Sequence, residues 1–185
     1  MTEPEVNRDL IERCRKGERL AQEQIYRLYY RAMYNVSFRL LNNQMEAEDV
    51  MQEAFLSAFR NINSWRGEVT FGSWLKRIVI NKSIDSLRLR KLKLEEINEK
   101  IENETGEADI EIDDDGREAV ERIRKAMQEL PEGFRTVLSL FLFEGYDHAE
   151  IAHIFNISES TSRSQLVRAK KRLADILKKK RNETP

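Results

Sequence analysis

HAEIAHIFNISESTSRSQL, residues His148–Leu166, reads as two short helices meeting at a tight turn. A helix-turn-helix needs a small residue where its helices cross, and Ala152 supplies it. The turn needs a residue that tolerates positive φ, which Asn156 does, though less freely than glycine. Ile157 then plugs the turn into the core, and Ser158 is placed to cap the second helix. That helix is expected to display Ser160, Thr161, Arg163, Ser164, Gln165 and Arg168, with Lys170, Lys171 and Arg172 behind them. Short polar side chains at a helix start, followed by basic ones, suit entry into a DNA major groove with phosphates clamped alongside. Gln165 has the chemistry to read an adenine edge bidentately, and Arg163 a guanine. The plainer alternative is a helical hairpin with a solvated basic face. Two features favour DNA: the turn chemistry is complete, and basic residues crowd from Arg163 to Arg181 with Asp175 the only acid among them.

Working outward, the chain reads as helices throughout. Val120, Ile123, Met127 and Leu130 make a short amphipathic helix ended by Pro131, and a further helix runs through Phe143 to a break at Gly145. Upstream, residues 95–118 change character abruptly. Acids dominate, including Asp113, Asp114 and Asp115, and the acidic run continues to Glu121 with only Lys100 and Arg117 opposing it. Weak apolar spacing there predicts a flexible linker. Before it, from Arg8, the spacing predicts four helices. Leu10, Ile11 and Cys14 precede a turn at Gly17, and Ala21, Ile25, Leu28, Tyr29, Met33, Val36 and Leu40 follow the i, i+3, i+4 rhythm. Ala47, Val50, Met51, Ala54, Phe55, Ala58, Phe59 and Ile62 form one apolar stripe, and Thr70 is a plausible N-cap for a helix carrying Trp74, Leu75, Ile78, Val79, Ile84 and Leu87. The expected architecture is all-α: two small helical domains, 8–94 and 119–181, joined by a flexible acidic linker, 95–118, with the helix-turn-helix in the second.

Composition agrees. Of 185 residues 40% are apolar and 35% charged, with only 7 Gly and 3 Pro, a mix rich in helix formers and poor in turn residues. The net charge of −1 hides strong segregation of sign along the chain. Cys14 is the sole cysteine, which forbids an internal disulfide and points to a reducing cytoplasm; a lone thiol at helical spacing is expected to be a packing residue. Met1–Asn7 lacks the pattern of a signal peptide, and the most apolar stretch, Val137–Phe143, is too short to span a bilayer, so no membrane span is expected. His148 and His153 have no cysteine cluster beside them, and no glycine-rich phosphate loop or nucleophile constellation appears. Neither a cofactor, a metal nor an enzymatic activity is expected.

Two more groupings carry chemistry. Asp49, Gln52 and Glu53 lie three and four residues apart and share the helix face opposite the apolar stripe. In the stretch that follows, Trp65, Phe71 and Trp74 lie near Arg66, Lys76, Arg77, Asn81 and Lys82, with Arg88, Arg90, Lys91 and Lys93 beyond. Aromatic and basic groups together hold single-stranded nucleic acid, and a base flipped from its stack is read along its hydrogen-bonding edge. Phe71 and Trp74 are alternatively core, the more usual fate of aromatics at helical spacing; Arg77 and Asn81 are the stronger candidates for function.

Three segments in order resemble one family. LPEGFRTVLSLFLFEGY (130–146), running through Glu150–Ala152 to RAKKRL (168–173), looks like the −35-binding domain of extracytoplasmic-function (ECF) sigma factors of the sigma-70 family. AEDVMQEAFLSAF (47–59) resembles that family's polymerase-docking helix, and FGSWLKRIVIN (71–81) is similar to its −10-recognition helix. The resemblance implies that core RNA polymerase is met by Asp49, Gln52 and Glu53, against a basic coiled coil on its largest subunit. It implies that −10 DNA is recognised and melted by Trp65, Arg66, Lys76, Arg77, Asn81, Lys82 and Arg88. For −35 DNA it implies Ser160, Thr161, Arg163, Ser164, Gln165, Arg168 and Lys171. Part of Val137–Phe143 would receive the polymerase flap, and a further implied partner is an anti-sigma factor, in this family often membrane-anchored. The chain departs from the family pattern at Asn156, Ser162 and Gln165, where Gly, Val and Arg are usual; the last two bear on packing of the recognition helix and on base preference.

Two other function classes fit parts of the sequence. A free-standing helix-turn-helix regulator would bind an operator tightly without polymerase and leaves the aromatic–basic loop unexplained. A helical adaptor that binds only protein would show no salt-dependent affinity for DNA. The acidic linker has three readings: a tether threading a basic channel, a solubilising spacer, or a shield over the DNA-binding surfaces. If it shields, neutralising Asp113, Asp114 and Asp115 raises DNA affinity in the absence of polymerase, measured by fluorescence anisotropy; an unchanged affinity removes the shield.

Overall fold

Why these helices stop where they do is visible at their ends. The computed structural model describes residues 8–89 and 116–183, and every regular element among them is helical. Asn42 sits in the left-handed region (φ 51°) and closes the second helix, and Asn43 caps the next one by accepting from the Glu46 amide. Thr70 caps the fourth as expected, its hydroxyl accepting from the Ser73 amide at 3.2 Å. The described residues fall into two compact units, within 1–90 and 91–185. The linker 95–118 lies outside the described residues except for its last three positions, where helix has already begun. Arg90, Lys91 and Lys93 also lie outside them.

The first unit contains α1 (Arg8–Arg15), α2 (Arg19–Leu41), α3 (Gln44–Arg60), a 3-10 turn at Ile62–Ser64 and α4 (Phe71–Leu89). Helices α2, α3 and α4 pack on one another, and α1 lies against α2 and the 3-10 turn. The stripe predicted for α3 is buried from Ala47 to Ala58, and Ala47, Ala54 and Ala58 are wholly inaccessible. Small residues at these contacts bring helix axes close. Ile25, Tyr29, Met33 and Leu40 of α2 and Phe71, Leu75, Val79, Ile84 and Leu87 of α4 complete the core. Leu28 departs from the expected rhythm: it is 45% exposed, because the buried arc of α2 is centred on the Ile25–Tyr29–Met33 side. Where α2 meets α4, Ser83 donates to the Val79 carbonyl (2.9 Å) and lies 3.2 Å from Ser37 Oγ, so the buried hydroxyls satisfy each other. Cys14 is buried as a packing residue, and desolvation holds its thiol up at about 11, so it stays protonated at neutral pH.

The second unit contains α5 (Gly116–Gln128), α6 (Glu132–Leu142), α7 (His148–Phe155) and α8 (Glu159–Glu183). Helix α8 packs against the other three, and α6 is buried continuously from Gly133 to Leu140. Val120, expected on the apolar face of α5, is 65% exposed; Ala119, Ala126 and Met127 face inward instead. Within buried α6, Arg135 turns its guanidinium back to the Leu130 carbonyl at 2.9 Å, giving a carbonyl beyond the end of α5 a charged donor. A capping box joins Asp147 and Glu150 at the start of α7.

Ser162, on α8, is fully buried, and its hydroxyl meets His148 Nδ1 at 2.9 Å. The His148 ring stacks on Phe141 of α6 with centroids 4.6 Å apart. The imidazole thus ties α7 to both α6 and α8. Desolvation, and secondarily the Arg163 charge, lower its basicity, while Asp147 and Glu159 oppose the shift only in part. A depressed folded-state pKa means the neutral ring is preferred in the native state. The stabilisation is therefore complete above the ordinary histidine range and is lost as pH falls below about 6.5. Urea unfolding across that range is expected to show the second unit weakening on acidification, and His148→Gln is expected to flatten the pH dependence.

Candidate nucleic-acid and polymerase surfaces

The outward face of α3 carries Asp49, Gln52 and Glu53, all exposed. Two apolar residues stand among them: Met45 is 75% and Leu56 55% exposed. Met45, Asp49, Gln52 and Leu56 follow each other at i, i+4, i+7 and i+11, so they form one stripe along the helix. Sequence reading missed the two apolar members, although their spacing from Asp49 and Gln52 was the available signal. Glu53 lies to one side of the stripe and reaches α4, where its Oε2 pairs with Lys82 Nζ at 3.2 Å. Both partners line an open cleft of about 380 Å³ between α3 and α4, together with Leu56, Ser57, Arg60 and Asn61.

On α4, Arg77 and Asn81 are exposed and one turn apart, hence on the same face. Lys82 turns toward α3, and Lys76 is half-buried. Arg88 lies further along the helix and pairs with Asp85 at 3.5 Å. The six residues expected here besides Trp65 therefore do not form one patch: Arg77, Asn81 and Arg88 share a face at i, i+4 and i+11, Arg66 is exposed on the loop, and Lys82 joins the acidic helix.

Trp65 is half-buried and built into its loop rather than projecting from it. Its Nε1 donates to the Val69 carbonyl at 3.0 Å, and its ring meets Phe71 edge-on at 5.8 Å. From α1, the Arg15 guanidinium lies 5.9 Å over the indole and donates to the Trp65 carbonyl at 2.8 Å. Arg66, Gly67, Glu68, Val69 and Thr70 are left exposed. Phe71 is core and Trp74 half-buried, with rings 5.4 Å apart. Nothing in the local sequence signalled Arg15, which lies fifty residues upstream of its partner.

In the second unit the turn forms as its residues require. Asn156 is left-handed (φ 54°), and Ile157 donates to the Ala152 carbonyl at 3.0 Å. Ser158 accepts from the Thr161 amide at 3.0 Å. Ser160, Arg163 and Ser164 are exposed on the first turns of α8, and Thr161, Arg168 and Lys171 are half-buried. Arg163 pairs with Glu159 at 2.7 Å, an intrahelical contact between two largely exposed groups that a stronger acceptor can displace. Gln165 corrects the expectation: it is only 5% exposed and lies on the core side of α8, three residues after buried Ser162 and four before buried Ala169. Its place outside is taken by Val167, 47% exposed, which the sequence reading passed over. Among the described residues no helix is long and apolar enough to cross a membrane.

Comparison with known proteins gives this geometry a family. The family model for sigma-70 region 2 matches residues 25–92, which cover α2 to α4, and that for sigma-70 region 4 matches 120–173, which hold the helix-turn-helix. The RNA polymerase sigma-H factor of Pseudomonas aeruginosa is 31% identical over 96% of this chain and 96% of its own. The ECF RNA polymerase sigma factor SigW of Bacillus subtilis is 30% identical over 91% of this chain and 95% of its own. Among solved structures, the sigma factor RpoE in complex with the anti-sigma factor NepR from Bartonella quintana aligns over 84% of this chain and 96% of its own, at 21% identity and a TM-score of 0.49. With both sigma regions present in order and near-complete coverage by such relatives, the chain belongs to the sigma-70 family as an ECF sigma factor, directing promoter-specific initiation of transcription.

Proposed function

We propose that this sigma factor meets its partners through three separate helix faces. Core RNA polymerase is met by the α3 stripe, where Asp49 and Gln52 stand between exposed Met45 and Leu56. Acidic groups steer and orient the encounter with a basic partner, and the two apolar side chains supply area to bury. Glu53 serves this surface only after exchanging Lys82 for a polymerase cation, an exchange that costs little because both groups border solvent. The −10 element is taken by Arg77 and Asn81 on α4 together with the Arg66–Thr70 tip of the loop. Trp65 acts there mainly by shaping the loop, and Lys76, Lys82 and Arg88 add positive potential for phosphates. The −35 element is gripped by Ser160, Thr161, Arg163 and Ser164, with Arg168 and Lys171 on flanking phosphates. Exposed Val167 has the right chemistry for a thymine methyl group.

The observation that carries this reading is the coexistence, in one chain, of a complete helix-turn-helix and the exposed Arg77–Asn81 face beside an ordered aromatic loop. A regulator that binds duplex DNA alone has no use for the second. The protein works in the cytoplasm, where polymerase and chromosome are, and contributes recognition while the chemistry stays with the polymerase. An anti-sigma factor that covers one or more of these faces is its expected regulator, in keeping with the family.

Transcription in vitro decides. Purified core polymerase and a duplex promoter selected from a randomised library by the holoenzyme should yield transcripts from a defined start. Arg77→Ala and Asn81→Ala are each expected to lower initiation by about tenfold, the loss of one good base or phosphate contact. No promoter-specific product with a competent core overturns the reading, while tight duplex binding without polymerase would return the chain to the free-standing regulators.

A further inference from the structure

The loop between α3 and α4 is short of internal support. Ile62 anchors its start in the core, Ser64 donates to the Asn61 carbonyl, and Trp65 bridges to Val69. From Arg66 to Thr70 every residue is exposed. Such a segment, fixed at its base and solvated at its tip, samples many conformations unless something outside it sets its course. Arg15 is placed to do so. One terminal nitrogen of its guanidinium donates to the Trp65 carbonyl at 2.8 Å, and the other pairs with Glu12, one turn earlier on α1, at 2.5 Å. The guanidinium carbon also lies over the Trp65 ring at 5.9 Å. The side chain is 29% exposed, so these contacts are partly shielded from solvent. Helix α1 is in turn held by Ile11 and Cys14, both buried. A rigid path therefore runs from the core through α1 to the backbone of the loop.

We propose that Arg15 is a positioning residue for −10 recognition: by holding Trp65 from two directions it sets the conformation in which the Arg66–Thr70 tip meets single-stranded DNA. This rests on the reading of that loop as the strand-reading element. The planar fork matters as well as the charge. One guanidinium reaches a carboxylate and a carbonyl on different segments while its carbon lies over an indole ring; an ammonium is a point donor without that geometry. The role also explains the state of Trp65, whose ring is in contact with both the Arg15 guanidinium and the Phe71 ring and so holds the loop instead of offering a free stacking platform.

The test uses the full chain with core polymerase. Wild type, Arg15→Ala, Arg15→Lys, Glu12→Gln, Trp65→Ala and Arg66→Ala are each given a duplex library randomised across the −10 region beside a fixed −35 element, and a second library with the reverse arrangement. Permanganate reactivity on one selected promoter measures strand opening. Arg15→Ala is expected to slow opening about tenfold, the scale of one charged hydrogen bond, and to flatten base preference across the −10 region. Its −35 preference and its affinity for core should stay within about twofold of wild type, the range of a surface change elsewhere. Arg15→Lys should restore only part of the −10 discrimination, and Glu12→Gln should weaken it less than Arg15→Ala. A variant that merely folds poorly loses active protein at both elements alike and keeps its preferences, so an equal loss at −10 and −35 overturns the inference. So does a wild-type −10 preference in Arg15→Ala when Trp65→Ala has flattened it. If neither Trp65→Ala nor Arg66→Ala alters −10 preference, the loop reading fails first and the role of Arg15 falls with it.

Discussion

Ala47, Ala54 and Ala58 on α3 are wholly buried between α2 and α4, and the rest of the first unit depends on that closeness. A side chain that ends at Cβ lets neighbouring helices approach until their own larger residues interlock. With three helices drawn together in this way, each has one dry face, and the 3.6-residue period leaves the opposite face over for partners. The outer stripe of α3 and the Arg77–Asn81 pair on α4 are consequences of that division. In the second unit the same rule of one dry face operates separately: Ser162, Leu166 and Ala169 fix which side of α8 is inside, and Gln165 falls on it.

Polar contacts do a different job from the apolar core: they relate one segment to another in a specific way. Arg15 joins α1 to the loop, Lys82 joins α4 to the acidic face of α3, Arg135 joins α6 to the end of α5, and His148 joins α7 to α8. Their value depends on solvent. Arg135 is buried and has a charged hydrogen bond to a carbonyl, so removing it leaves a desolvated acceptor. Lys82 and Glu53 border water, and their ion pair is easily exchanged. That difference suits their places, since a buried tie maintains a fold and a solvated one can be traded for a partner.

The departures from the family pattern acquire physical meaning in the same terms. Ser162 replaces the valine usual at this place, and its buried hydroxyl is satisfied by His148, whose ring in turn rests on Phe141. The loss of an apolar side chain is offset by a hydrogen bond that ties the two helices of the DNA motif together. At Gln165 the family's arginine would place its charge where this chain has only 5% exposure. The side chains that this part of α8 turns outward are instead Ser160, Arg163, Ser164 and the apolar Val167.

Much was legible in the chain alone, because helix period, caps and turn residues are local properties. The apolar stripe of α3, the caps at Thr70 and Ser158, the left-handed turn at Asn156 and the packing role of Cys14 all follow from residue type and spacing over a few positions. What spacing could not assign was the direction in which a helix turns its borderline residues: Leu28, Val120 and Val167 face solvent, while Gln165 faces the core. That choice is made by neighbouring helices, through the area each contact removes from water. Tertiary structure alone brought Arg15 to Trp65, fifty residues away, and Lys82 to Glu53 on a different helix. Contacts of that range depend on how α1, α3 and α4 pack, which no local window of sequence contains.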